Sequence, residues 1–63
     1  MNEIEIIDDT YARIVEQLCS QLFNVLLPAN NIAEYEDAEK RFQAGVRRAR
    51  EIRERAKQLL VAT

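Results

Sequence analysis

A long, regular apolar repeat in the second half of the chain constrains the fold more than any other feature. Apolar or small residues recur at alternating three- and four-residue steps over eight positions: Tyr35, Ala38, Phe42, Gly45, Ala49, Ile52, Ala56 and Leu59. This heptad spacing predicts a long helix over residues 31–62 that packs along another helix. Four of the eight are Ala or Gly, so larger side chains of the neighbouring helix can fill the gaps between them.

A second apolar stripe predicts the neighbouring helix, helix one, over residues 8–27. Its inner positions are Tyr11, Val15, Leu18, Leu22 and Val25. Pro28 ends this helix, and the short loop at residues 28–30 implies an antiparallel hairpin. Asn31, followed three residues later by Glu34, is typical of a helix start. Counted from the loop, Leu18 should lie near Lys40 and Tyr11 near Arg47.

Residues 2–7 precede helix one and read Asn-Glu-Ile-Glu-Ile-Ile. The alternation of acidic and apolar residues is the period of a half-buried strand, and isoleucine favours extended structure. We expect a β-strand here that pairs antiparallel with the same segment of a second copy. A frayed terminus and the first turn of helix one are the alternatives.

The size of the chain predicts that it assembles. Its 63 residues form one domain, and a two-helix hairpin has one inner seam, which buries too little apolar surface to offset the entropy of folding. We expect a mostly α fold, an N-terminal strand plus the hairpin, that forms an intertwined homodimer resembling a four-helix bundle. At Gly45, Phe23 or Phe42 of the second copy should cross closely. The expected dimer contacts are Ile4, Ile6, Leu18, Leu22, Phe42, Gly45, Ile52 and Leu59.

The residue types present exclude the common forms of catalysis. The chain has one serine, Ser20, and one cysteine, Cys19. Because it has no histidine, neither a Ser-His nor a Cys-His pair can form. Gly45 is the single glycine, which excludes a glycine-rich phosphate loop. The scattered carboxylates do not predict a metal site. We expect a small non-enzymatic regulatory protein that acts through protein–protein contacts and has no cofactor. One cysteine is typical of a reducing cytoplasm, and no apolar run is long enough for a membrane span.

Charge is sorted along the chain. Residues 1–39 carry nine acidic and one basic side chain, whereas residues 40–63 carry eight basic and two acidic ones. We favour mutual neutralisation of the two halves within the hairpin. The alternative is nucleic-acid contact through Arg41, Arg48 and Arg55, which recur every seven residues. An isoelectric point near 5.0 argues against that alternative.

An apolar cluster near the loop suggests a third candidate function, the binding of a helix from a partner protein. Large apolar residues gather at the end of helix one and the start of helix two: Phe23, Leu26, Leu27 and Tyr35. If a dimer leaves them uncovered, they form a cleft for an amphipathic helix of a partner protein. The protein would then act as a helix-binding adaptor or small chaperone.

The order of elements, from Glu3–Ile7 through Asp8–Leu27 to Asn31–Ala62, resembles that of a family of small phage proteins. These proteins, also of 63 residues, are encoded between the exonuclease and excisionase genes of lambdoid bacteriophages. The resemblance implies a symmetric homodimer whose strand and helices contact the other chain. It also implies an early role that favours lytic development in the host cytoplasm. A likeness of architecture alone links the hairpin to the plasmid copy-number regulator that binds RNA loops.

Overall fold

A computed structural model describes residues 2–62 as two antiparallel α-helices joined by a short loop. Helix α1 spans Glu3–Leu26, 24 residues, and helix α2 spans Ile32–Ala62, 31 residues. The prediction of a mostly α-helical hairpin is therefore confirmed. No β-strand occurs within residues 2–62.

The β-strand predicted for residues 2–7 is wrong, because this segment forms the start of α1. Asn2 is the N-cap residue, and its side-chain oxygen accepts a hydrogen bond from the backbone N–H of Glu5 at 2.9 Å. Glu3 and Glu5 lie in the first turn, where the positive end of the helix dipole favours acidic side chains. The expected sheet between two copies required this strand and is ruled out with it.

The isoleucines of this segment suit a helix as well as a strand. Ile4, Ile7 and Tyr11 are spaced by three and four residues and so extend the inner stripe of α1 toward its N-terminus. Thr10, two residues after the expected helix start at residue 8, lies well inside α1, and its hydroxyl donates a hydrogen bond to the carbonyl of Ile6 at 2.8 Å. Helix α1 therefore begins at Glu3 and not at residue 8.

The connection between the helices is fixed by side chains at both of its ends. Asn31 caps α2 as expected, since its side-chain oxygen accepts a hydrogen bond from the backbone N–H of Glu34 at 2.8 Å. The hydroxyl of Tyr35 donates to the carbonyl of Ala29 at 3.0 Å. The turn that begins around Pro28 is thereby held against the first turn of α2.

Two contacts between the helices show their register. The Lys57 ammonium lies 2.9 Å from a carboxylate oxygen of Asp8. The Arg53 guanidinium lies over the Tyr11 ring, 4.4 Å from its centroid. Tyr11 therefore faces Arg53 and not Arg47, and the two helices are offset by nearly two turns from the register counted along the loop.

The two helices approach each other closely at Gly45. A Cβ atom placed on Gly45 would lie 2.8 Å from one terminal methyl of Leu18 and 3.2 Å from the other. The bulky neighbour is therefore Leu18 of the same chain, which corrects the expectation of Phe23 or Phe42 from a second copy. It also corrects the expected position of Leu18 beside Lys40.

The hairpin is a layer one helix thick with almost no interior. Its Cα atoms extend over 49 × 19 × 7 Å. The radius of gyration is 14.8 Å, against about 11 Å for a compact domain of this length. Ala38, 6% exposed, is the one buried residue within residues 2–62. Both faces of the layer are consequently open to contact with another molecule.

The capping role of Asn2 gives a direct test of the helical N-terminus. We expect Asn2→Ala to lower the free energy of unfolding by about 1 kcal/mol, because the Glu5 amide loses its hydrogen-bond acceptor. Asn2→Ser, which keeps a capping oxygen, should change it by less than about 0.5 kcal/mol. Chemical denaturation followed by circular dichroism measures both. Equal stability of the two variants would contradict the N-cap.

Candidate functional site

An apolar groove runs between the helices on one side of the layer, far from the loop. Its volume is about 380 Å³, and its walls are mostly aliphatic: Ile6, Ile7, Thr10, Tyr11, Ile14, Ala49, Ile52, Arg53 and Ala56. We call this surface the apolar groove. Ile6 and Ile52 are 50% and 56% exposed although they belong to it. A surface of this composition is suited to cover by another apolar surface.

The residues predicted to form the dimer contact fall into two sets. Four of them are half-buried between α1 and α2 of the same chain: Leu18, Leu22, Phe42 and Gly45. The other four remain exposed on the single chain: Ile4, Ile6, Ile52 and Leu59. Two of the exposed residues, Ile6 and Ile52, meet in the apolar groove. The first set therefore joins the two helices, and the second is available to a partner.

Sequence reasoning missed two isoleucines of the apolar groove. Ile7 and Ile14 line it, yet neither was among the expected dimer contacts. They are seven residues apart, so they share one stripe of α1 beside Tyr11. The strand prediction hid this signal, because it separated Ile7 from the helix that contains Ile14.

The exposed area of the chain indicates how much surface is left to cover. The chain exposes 5232 Å², whereas a compact monomer of 7.3 kDa exposes about 4,200 Å². The excess of about 1,000 Å² is close to the area that one partner buries in a specific interface, about 800 Å². Contact with one partner over an interface of ordinary size would thus reduce the exposed area of this chain to that of a compact globular protein.

Two basic side chains are held at the edge of the apolar groove. The guanidinium of Arg53 lies over Tyr11, and its Nε donates to a carboxylate oxygen of Glu54 at 3.1 Å. Lys57 pairs with Asp8 across the helices, and both Arg53 and Lys57 are half-buried. The contacts of Arg53 with Tyr11 and of Lys57 with Asp8 fix the register of the two helices. Both positive charges are paired with carboxylates of the same chain.

Most of the remaining arginines have no acidic partner. Arg41 pairs with Asp37 at 2.9 Å, as its spacing on the helix predicts. Within residues 2–62, four exposed arginines make no ion pair: Arg47, Arg48, Arg50 and Arg55. Among the described residues, Asp8 and Lys57 form the one ion pair between the two helices. Three arginines were considered for nucleic-acid contact. Arg41 is paired with Asp37, whereas Arg48 and Arg55 form no ion pair within residues 2–62.

A second apolar surface lies at the loop end of the hairpin. The four residues expected to form a partner cleft do come together around a hollow of about 360 Å³: Phe23, Leu26, Leu27 and Tyr35. We call this surface the loop-end patch. Phe23 is 62% exposed and Leu27 is 79% exposed. Phe23 is nine residues from Ile14, two and a half helical turns, so it projects from the opposite side of α1.

Within residues 2–62, neither a metal-binding cluster nor a membrane-spanning helix is found. No group of three or more Cys, Asp or Glu side chains within residues 2–62 is arranged to hold a metal ion. Cys19 is half-buried on α1 with a free thiol. Neither helix, over the residues described, has the length and hydropathy to cross a bilayer. Comparison with protein-family models, with curated proteins and with solved structures gave no match.

Proposed function

We propose that this protein is a small non-enzymatic regulator that works as a homodimer through protein–protein contacts. The observation that carries the proposal is the near absence of an interior. Ala38 is the one buried residue of the described chain, while large apolar side chains line an open groove. A single layer of helices needs a second layer to bury its apolar face, and a second copy of the chain supplies one.

The dimer would be isologous, with each apolar groove covering the other across a two-fold axis. Ile6 and Ile52 of both copies would then lie near the axis and form the centre of a four-helix arrangement. Arg53 and Lys57 are already paired within their own chain, so their burial would not leave an uncompensated charge. Of the four unpaired arginines, Arg47 and Arg50 would stay on the outer surface. Arg48 and Arg55 flank Ile52 one turn away on α2, so they would lie at the edge of the contact.

The biological setting that we propose is a phage early protein that favours lytic development in the host cytoplasm. Chain length and the order of the two helices around a Pro-containing loop support this proposal. The N-terminal strand, a third part of the resemblance, does not exist, so the proposal rests on the hairpin alone. Regulation by contact with a host or phage protein suits a chain whose large apolar side chains line open surfaces.

The test is the frequency of lysogeny when the protein is expressed from a plasmid during infection by a lambdoid phage. We expect wild-type protein to lower the fraction of surviving lysogens, and Ile52→Asp to abolish the effect because it disrupts the apolar groove. Gln43→Asp adds the same charge on the opposite side of α2 and should retain the effect. Unchanged lysogeny with wild-type protein at full expression would contradict the phage role.

A second candidate function is contact with nucleic acid, and one specific observation favours it. Arg47, Arg48, Arg50 and Arg55 form no ion pair within residues 2–62, so their guanidinium groups are available to phosphates. A gel shift at low salt with mixed single- and double-stranded probes tests it. Binding that weakens steeply with salt and is lost in Arg48→Gln with Arg55→Gln would support it. No shift at low salt would remove it.

A further inference from the structure

We infer that the loop-end patch is a docking site for an amphipathic helix of another protein with basic residues along its edges. This names the class of partner for the proposed regulation by protein contact, and in that respect it rests on the proposed function. The patch combines exposed apolar side chains, a fixed shape and an acidic border. Each of these features bears on which molecule it can bind.

The loop-end patch is shaped before any partner arrives. The ring of Tyr35 is held by the hydrogen bond from its hydroxyl to the Ala29 carbonyl, 3.0 Å long. Phe23, Leu26 and Leu27 form the other walls of the hollow of about 360 Å³. A hollow of this size accepts one or two large apolar side chains, such as those that anchor a helix in a groove by residues one turn apart.

The loop-end patch stays open when two apolar grooves pair. Phe23 projects from the opposite side of α1 to Ile14, because nine residues correspond to two and a half turns. The groove is lined by the first half of α1 and the second half of α2, whereas the patch lies at the loop. A dimer built on the groove therefore presents two copies of the patch to other proteins.

The charge around the loop-end patch selects the partner. Glu39 lies one turn after Tyr35 on α2, and Glu16 lies two turns before Phe23 on the same stripe of α1. Glu36 follows Tyr35 directly. All three carboxylates are exposed, and in the described chain none of them forms an ion pair. An acidic border repels a second acidic patch and attracts a helix edged with Lys or Arg.

A second copy of this chain is a poorer occupant. Two loop-end patches would bring like charges together. The basic part of α2 from another copy would fit by charge, but that contact is between different surfaces and, unless two copies close it reciprocally, would propagate into rings or open assemblies. A basic amphipathic helix from a different protein would fill the apolar hollow and pair with the acidic border. It would bring no like charges together and would not join the chains into larger assemblies.

The probe for this proposal is a fluorescent model helix of about 16 residues, made of leucine and lysine with leucine at positions i, i+3, i+4 and i+7. Its anisotropy is titrated with the full-length protein. Phe23→Ser combined with Leu27→Ser should weaken binding at least about 10-fold, because both anchors of the hollow are lost. Val61→Ser, an equally polar change at an exposed residue of the other end, should leave binding unchanged.

A second pair of variants tests the acidic border. Glu36→Gln with Glu39→Gln should weaken binding about 3- to 10-fold at low salt. Glu3→Gln with Glu5→Gln removes the same charge at the far end of the hairpin and should have no such effect. Equal losses from both pairs would show diffuse attraction and overturn the proposal. Binding that survives the loss of Phe23 and Leu27 would overturn it as well.

Sedimentation of the same samples separates this inference from the proposed homodimer. We expect the Phe23→Ser, Leu27→Ser variant to keep the mass of two chains while it loses the model helix. If that variant instead lowers the mass, the loop-end patch joins two copies and the docking proposal is wrong. If wild-type protein is a single chain that still binds the model helix at this patch, the dimer proposal fails and the docking site stands.

Discussion

We expect Ile52→Asp to separate the proposed dimer into single chains and to remove most of the helical signal at micromolar concentration. Ile52 lies on the wall of the apolar groove, where a second copy would cover it. A carboxylate there would be buried without a partner, which costs several kcal/mol. Both copies carry the change in a symmetric dimer. We therefore expect the dissociation constant to rise at least about 100-fold, or about 2.7 kcal/mol.

The control for this prediction is Gln43→Asp, nine residues earlier on the opposite side of α2. It introduces the same charge into the same helix but outside the apolar groove, so the dissociation constant should change by less than about 3-fold. Size exclusion with light scattering gives the mass, and circular dichroism gives the helicity. Equal behaviour of the two variants would place the dimer contact on another surface.

Gly45→Val is the second large expected effect, and it tests the packing of the two helices within one chain. A Cβ at this position already lies 2.8 Å from a terminal methyl of Leu18, so two further methyl groups require displacement of the helix or of Leu18. We expect a loss of about 2–3 kcal/mol in the free energy of unfolding. Ala44→Val, at the exposed neighbouring position, should lose less than about 1 kcal/mol.

Gly45→Ala separates the gain in helix propensity from the steric clash with Leu18. Alanine gains about 1 kcal/mol of helix propensity over glycine, and the atom it meets is the flexible end of Leu18. Rotation of Leu18 would leave the stability within about 1 kcal/mol of wild type. Chemical denaturation of the three variants measures the series. A valine variant as stable as Ala44→Val would contradict the close approach at Gly45.

Much of the hairpin can be predicted from the sequence because several independent signals agree. The heptad repeat of α2, the stop at Pro28 and the cap at Asn31 each point to two helices joined by a short loop. Residues 2–7 are different, because six residues of alternating Glu and Ile fit a strand period and a helix period equally. The cap at Asn2 decides between the two, and so does the continuation of the inner stripe through Ile7.

The register and the charge pairing could not be read from the sequence. Counting back from Pro28 assumes that the helices pair directly from the loop, whereas the contact is set by Leu18 against Gly45 and by Tyr11 against Arg53. Acidic and basic segments do lie side by side, but one ion pair joins the helices in the described chain. The net charge of each segment predicts that the acidic and basic halves of the chain lie side by side. It does not predict which side chains form ion pairs.

The most direct measurement is sedimentation equilibrium of the wild-type protein from low to high micromolar concentration, with helicity recorded on the same samples. We expect the mass of two chains and a loss of helix on dilution, because the single hairpin has too little interior to stay folded. A single chain of 7.3 kDa that keeps its full helicity at every concentration would contradict the proposed dimer.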